Sequence, residues 1–396
     1  MANWFKTFSN QPHQPFFLSG IIFFISFILL LFASYARIVN LSSTILTYHT
    51  YSMLFIVFIQ FILGYLYILF PKILEEKPIK RSVYMMHFYI YFFSSLGFLS
   101  SLFFSSEYII FFTLALLLVQ FLSFKLLFII NLESKIKDKK DTSWILFFLF
   151  IGLIAHMIFY VSFYELEYSF TLKKAGTYIG FYFYFFGVAF AISQRMILET
   201  TKQKIKNYKI DKSMFLMTKF TILIFFKVIS HFYENIYFSL VIDILFFIFI
   251  MYELIRWKLP IFKVNSMLWI LYISLYWIPV SFLLLILQNS FEILHINFLF
   301  EQAPLHTLAL GYINTLILAF ILRATLYYKG KTQNANNITT LIFLFLQMAV
   351  ILRLVASFSL NTELSYVLWI NIASFSLVII LLLWFLNYLK IVLINK

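Results

Sequence analysis

Long apolar runs closed by short polar loops alternate along the whole of this 396-residue chain. The runs fall at 16–36, 51–70, 83–104, 108–130, 144–164, 177–195, 213–231, 236–255, 267–288, 306–326, 338–356 and 366–389. A helix needs about 20 apolar residues to cross the hydrocarbon core of a bilayer, and each run is near that length. The gaps are equally legible, because "PKILEEKPIKRS", "ESKIKDKKD" and "ETTKQKIKNYKIDK" are too charged to remain in lipid. The pattern predicts an all-α, polytopic membrane bundle of about twelve transmembrane helices, a single integral membrane domain over 1–396. The first run, Phe16 to Ala36, exceeds the roughly 7–15 residues of a signal-peptide core, and Ser34-Tyr35-Ala36 is a poor cleavage sequence. It therefore reads as a retained span.

Composition agrees: 63% of residues are hydrophobic and 12% charged, with mean hydropathy +0.94. The net charge of +14 would suggest a nucleic-acid partner if it were spread over a surface. Its distribution excludes that reading. Taking both termini and every second loop as one side gathers 22 of the 30 Lys and Arg there. The other side has only Arg37, Lys173 and Lys174, and five lie within spans. Basic loops stay in the cytoplasm, so both termini are expected there, in a bacterial inner membrane. Cysteine is absent, which removes disulfides, iron–sulfur clusters and thiolate-ligated haem or copper. The 9 glycines are too few for packing by repeated GxxxG motifs, so aromatic and branched side chains should fill the bundle.

Polar residues inside spans are costly and normally face the bundle interior. Lys227 and Asp243 flank the tight turn near Asn235 at similar depth and are expected to pair. Arg195 and Arg323 lie at the cytoplasmic ends of their helices, where they can offset the helix dipole. Arg353 lies deeper and is a candidate partner for a buried anion or propionate, although a structural ion pair is the better explanation. Of 7 histidines, His13 and His87 fall on the cytoplasmic side, His156 in the outer half of the fifth span, and the others near the outer face. His49 and His306 both sit at the outer starts of inward-running helices, where the positive dipole end favours a neutral, ligating imidazole. Steps of four and seven place Met53 and Gln60 on the helix face of His49, and Met is a soft ligand for haem iron or copper.

Four blocks, "PHQPFFLSG", "YHTYSMLF", "LWILYISLYWIPV" and "HTLALGYINTLILAFILRATLYYKGK", resemble the NnrS family in kind and order, and "FAISQRMI" does so more loosely. His13, Pro15, Phe16 and Phe17 match an opening pattern similar to R/H-x-P-F-F, and His49 and Met53 match W-H-A-H-E-M. His306, Gly311, Arg323, Thr325, Leu326 and Gly330 match the pattern of the tenth helix. The resemblance implies a bacterial inner-membrane protein that binds haem and copper in nitric oxide metabolism and nitrosative stress. On that reading nitric oxide and a redox protein are the partners beside the lipid bilayer. Haem would be held by His49, His306, Met53 and Arg353, and metal by His49, His306 and His13.

Four departures, three of them to tyrosine, thin the donor set. Tyr51 and Ser52 stand where the family tends to have His and Glu; Tyr272 and Tyr328 stand where it tends to have His. A phenol with pKa about 10 ligates copper poorly, so fewer bound metals are expected than in relatives. No two histidines are adjacent, which excludes a haem–copper oxidase centre. Two other classes fit the same topology: a cofactor-free twelve-helix secondary transporter or permease, and an assembly partner of a respiratory complex. Against a transporter, no internal repeat is visible and few helices are broken by Gly or Pro.

Overall fold

A computed structural model of the chain describes residues 5, 8–164, 166–262 and 264–393. Among the described residues its secondary structure is helical, with twelve continuous helices that correspond one to one with the apolar runs. They are α1 (His13–Tyr35), α2 (Ile45–Ile73), α3 (Arg81–Ser101), α4 (Ser106–Glu133), α5 (Lys140–Val161) and α6 (Ser169–Lys204). Then come α7 (Leu216–Ser230), α8 (Ile236–Trp257), α9 (Ser266–Ile293), α10 (Ala303–Tyr328), α11 (Asn337–Phe358) and α12 (Tyr366–Leu393). Ten are long and apolar enough to cross a membrane; α3 and α7 are not. α3 is diluted by serines, tyrosines and His87. α7 has only 15 residues, about 22 Å at 1.5 Å per residue, because Phe215 turns left-handed where a longer helix was expected.

Local chemistry sets the ends. Asn235, Asn265 and Asn336 each accept the backbone N–H three residues on, capping α8, α9 and α11. After α10, Gly330 takes φ +63, with its N–H on the Tyr327 carbonyl and that of Lys331 on Leu326. That left-handed cap suits glycine, which has no Cβ to clash.

Three helices contain a wider π-helical segment: Met53–Val57 in α2, Ile179–Phe186 in α6 and Thr307–Asn314 in α10. In α2 the Phe58 N–H reaches back five residues to Met53. A π turn takes up about one residue more than an α turn, so later residues lag by roughly 100°. The expected phase between His49 and Gln60 is therefore broken. Gln60 is fully buried and engaged with Ser19 and Ser95.

The chain forms two compact units, residues 1–188 with 385–396, and residues 189–384. In unit 1, α1 packs on α2 and α3, and α3 to α6 pack in sequence order. In unit 2, α7 to α10 likewise pack each on the next, and α11 joins α9 and α10. Aromatic rings do much of this packing. Phe220 of α7 stacks on Phe190 (4.1 Å between centroids), and Phe246 of α8 on Phe282 of α9 (4.1 Å), with Phe220 edge-on to Phe246 at 5.8 Å. Such pairs add about 0.5–1.5 kcal/mol each beyond area burial. Phe111, Leu118 and Phe121 on α4, with many similar residues elsewhere, point outward, as lipid-facing side chains do.

Candidate functional site

The loop before α10 builds a charged cluster in unit 2. Glu301 Oε2 receives Arg353 Nη2 at 2.9 Å and Ser357 Oγ at 2.8 Å; Tyr366 donates to Oε1 at 3.3 Å. Burial alone would raise the Glu301 carboxyl. Arg353 above all, with the Gln302 N–H, outweighs it and holds the group down at about 2. Arg353, the candidate for a buried anion, thus has an internal carboxylate. His306 is half-buried, and its Nδ1 lies 2.9 Å from the Gln302 carbonyl. A carbonyl only accepts, so Nδ1 carries the hydrogen and Nε2 is the basic nitrogen. Metal-binding histidines are commonly fixed in this way.

Deeper in unit 2, Lys227 Nζ lies 2.7 Å from Asp243 Oδ1, and Asn289 donates to Oδ2 at 2.9 Å. Both charged groups are wholly buried. Arg323 is half-buried near the end of α10, and Arg195 pairs with Glu199 at 3.0 Å. Tyr272, at a family histidine position, is buried with its hydroxyl 2.7 Å from Thr201 Oγ1, whereas Tyr328 is partly exposed.

In unit 1, His49 lies further into its helix than the apolar run suggests. Thr44 caps the Thr47 N–H, so α2 begins at Ile45 and His49 sits in the second turn. The dipole acts mainly within the first turn, and its bias on His49 is correspondingly smaller. Met53 is half-buried and opens the π segment. Ser52 donates to the His49 carbonyl at 3.1 Å. His13 is buried at the start of α1, 5.5 Å from the Phe17 ring. Pro15, Phe16 and Phe17 are buried too, and Phe16 meets Tyr67 and Phe88 edge-on.

The best-formed polar constellation of unit 1 centres on Tyr51 and His156, which the sequence marked one at a time and did not pair. The Tyr51 hydroxyl is 2.7 Å from His156 Nε2, and His156 Nδ1 is 2.6 Å from Gln120 Oε1. Phe55 stacks on the His156 ring at 4.2 Å. All three polar residues are buried. The amide oxygen only accepts, so His156 carries its hydrogen on Nδ1 and receives the Tyr51 O–H on Nε2. Tyr51 is thus a working hydrogen-bond donor where the family pattern has an imidazole. The usable signal was His156 itself, a histidine inside a span.

A family model described as NnrS protein matches residues 7–396. The chain belongs to the NnrS family. No curated protein matches it. Against the metals that NnrS membership implies, the donor sets divide. Among the described residues no three His, Asp or Glu side chains come together as a metal site. Both ring nitrogens of His156 are engaged, so His156 is not set up to ligate copper. Haem needs only one oriented imidazole, and His306, with its tautomer set by Gln302, fits that role.

Proposed function

We propose that this NnrS-family protein acts in the nitric oxide and nitrosative-stress response of a bacterial cytoplasmic membrane, with both termini cytoplasmic. His306 in one unit and His49 in the other are its candidate haem ligands. The observation that carries the reading is that a π segment follows each histidine closely, starting at Thr307 and at Met53. Such segments recur at functional sites because they widen a helix locally. The Gln302 carbonyl on Nδ1 adds support by fixing the tautomer and orientation of the His306 ring. A bound haem supplies an iron that takes diatomic ligands such as nitric oxide, and a redox partner would set its oxidation state. The residues of this chain orient the imidazole, and through Glu301 they place a fixed negative charge beside it.

The test is the optical spectrum of protein purified from haem-sufficient cells, with the pyridine haemochrome assay for content. A Soret band that His306→Ala or His49→Ala abolishes, in protein that still elutes as a single species, supports the proposal. Folded wild-type protein without haem would sink it and leave the permease reading.

A further inference from the structure

At the basic-loop end of α8, the Glu253 side chain is 1% exposed. Its Oε2 accepts two hydrogen bonds at 3.2 Å, from the Ser213 N–H in the loop joining α6 to α7 and from Trp257 Nε1. Its Oε1 is buried and has no hydrogen-bond partner. The Trp257 ring stacks beside Phe190, which lies on Phe220, so one side of the carboxyl is an apolar wall.

Buried charges in proteins are paired with a cation or bound to a metal. Asp243 has Lys227 and Glu301 has Arg353, but among the described residues Glu253 forms no ion pair. The two bases beside it are engaged elsewhere. Arg256, one turn on, holds Asp211 and the Lys212 carbonyl. Lys212, next to Ser213, gives its Nζ to Gln194 Oε1 at 2.7 Å.

A second oxygen stands beside the carboxyl. Ser213 Oγ is buried and likewise has no hydrogen-bond partner. A serine oxygen stays within about 4 Å of its own backbone nitrogen. The N–H bond to Oε2 therefore holds the hydroxyl and the carboxyl around one small volume. Carboxylate and hydroxyl oxygens are hard donors, the kind that sodium, potassium and the alkaline-earth ions take. One carboxylate balances one positive charge. A divalent ion would leave a further charge beside the loop that carries Lys206, Lys209 and Lys212.

We infer that Glu253 Oε1 and Ser213 Oγ bind a monovalent metal cation, sodium or potassium, which pins the loop after α6 to the end of α8. The ion reaches the site from the loop side, because Met214, next to Ser213, is exposed. Hard cations complete their shells with water. The site is independent of bound haem.

Binding of radioactive sodium to the purified full chain, read by scintillation proximity in choline buffer, tests this. Wild type should bind one sodium per chain, and unlabelled sodium and potassium should displace it; their relative potency tells which ion the site prefers. Glu253→Gln should abolish binding. Ser213→Ala, a smaller change to the fold, should weaken it by roughly tenfold, the worth of one contact to a charge. Glu199→Gln, at a partly exposed acid of α6 paired with Arg195, should leave it unchanged. Sodium in place of choline should also raise the melting temperature of wild type by about 2–5 °C and that of Glu253→Gln not at all. No binding by folded wild type, or equal binding by wild type and Ser213→Ala, would overturn the site. So would a protonated-carboxyl infrared band that Glu253→Gln removes from protein in sodium buffer, since a proton would then neutralise the group.

Discussion

Two acids in unit 2, Asp243 fully buried and Glu301 half-buried, do opposite things with their charge. Asp243 is enclosed with Lys227, and removing one partner strands the other in a medium that cannot solvate it. Asp243→Asn should therefore cost about 3–5 kcal/mol, while Lys227→Met with Asp243→Leu should recover most of it. Denaturant titration in detergent distinguishes the two; equal losses would mean that the ion pair is not what fixes the hairpin. Glu301 is held at about 2, below its ordinary 4.5. Because the folded value is the lower one, its ionised form stabilises the fold fully above about 4.5, and that contribution is lost as pH falls towards 2. Melting temperatures from pH 6 to 2 should fall more steeply for wild type than for Glu301→Gln. Parallel curves would remove Arg353–Glu301 as a source of stability.

At this scale the sequence was informative about charges and poor on partners. Lys227 and Asp243 are 16 positions apart across one turn, so their meeting follows from helical depth alone. Tyr51 and His156 are 105 positions apart, and nothing in either neighbourhood names the other. Glu301 was missed for a similar reason, since it lies in a loop and its partners come from α11 and the start of α12.

Between elements, close approach depends on a few missing side chains. A Cβ on Gly311, in the π segment of α10, would come within 2.5 Å of the Trp277 ring of α9. That ring cannot simply swing away, because Trp277 Nε1 donates to Gln347 at 2.6 Å. Gly311→Ala should destabilise by about 1–3 kcal/mol through overpacking, and Trp277→Leu in the same protein should relieve much of it. Thermal unfolding of the two variants decides whether this contact sets the α9–α10 spacing. Helix number and approximate ends could be read from apolar length, because lipid demands about 20 residues whatever their identity. The π segments could not, since an α and a π turn of the same residues differ by the reach of one hydrogen bond.

For the chain as a whole, the proposed orientation follows from an even number of crossings, which would put both termini on one side, and from the 22 basic residues, which would make that side the cytoplasm. A fluorescent protein that folds only in the cytoplasm should light up at either terminus. Alkaline phosphatase, active only outside, should work when inserted after Lys174 and fail after Lys209. Activity after Lys209 with none after Lys174 would mean that α3, one of the two helices that fall short as spans, does not cross.

The three wide turns also have a consequence for length variation. A π turn absorbs a single extra residue locally, and the helix on either side keeps the phase of an uninterrupted α-helix one residue shorter. Deleting one residue within 53–57, 179–186 or 307–314 should therefore let the turn tighten while the flanking halves stay in place. The same deletion elsewhere in these helices would swing every later side chain by roughly 100°, moving buried faces into lipid. Tolerance to one-residue loss should thus be concentrated in three short windows. Homologous helices lacking a wide turn should align with a one-residue gap at those places.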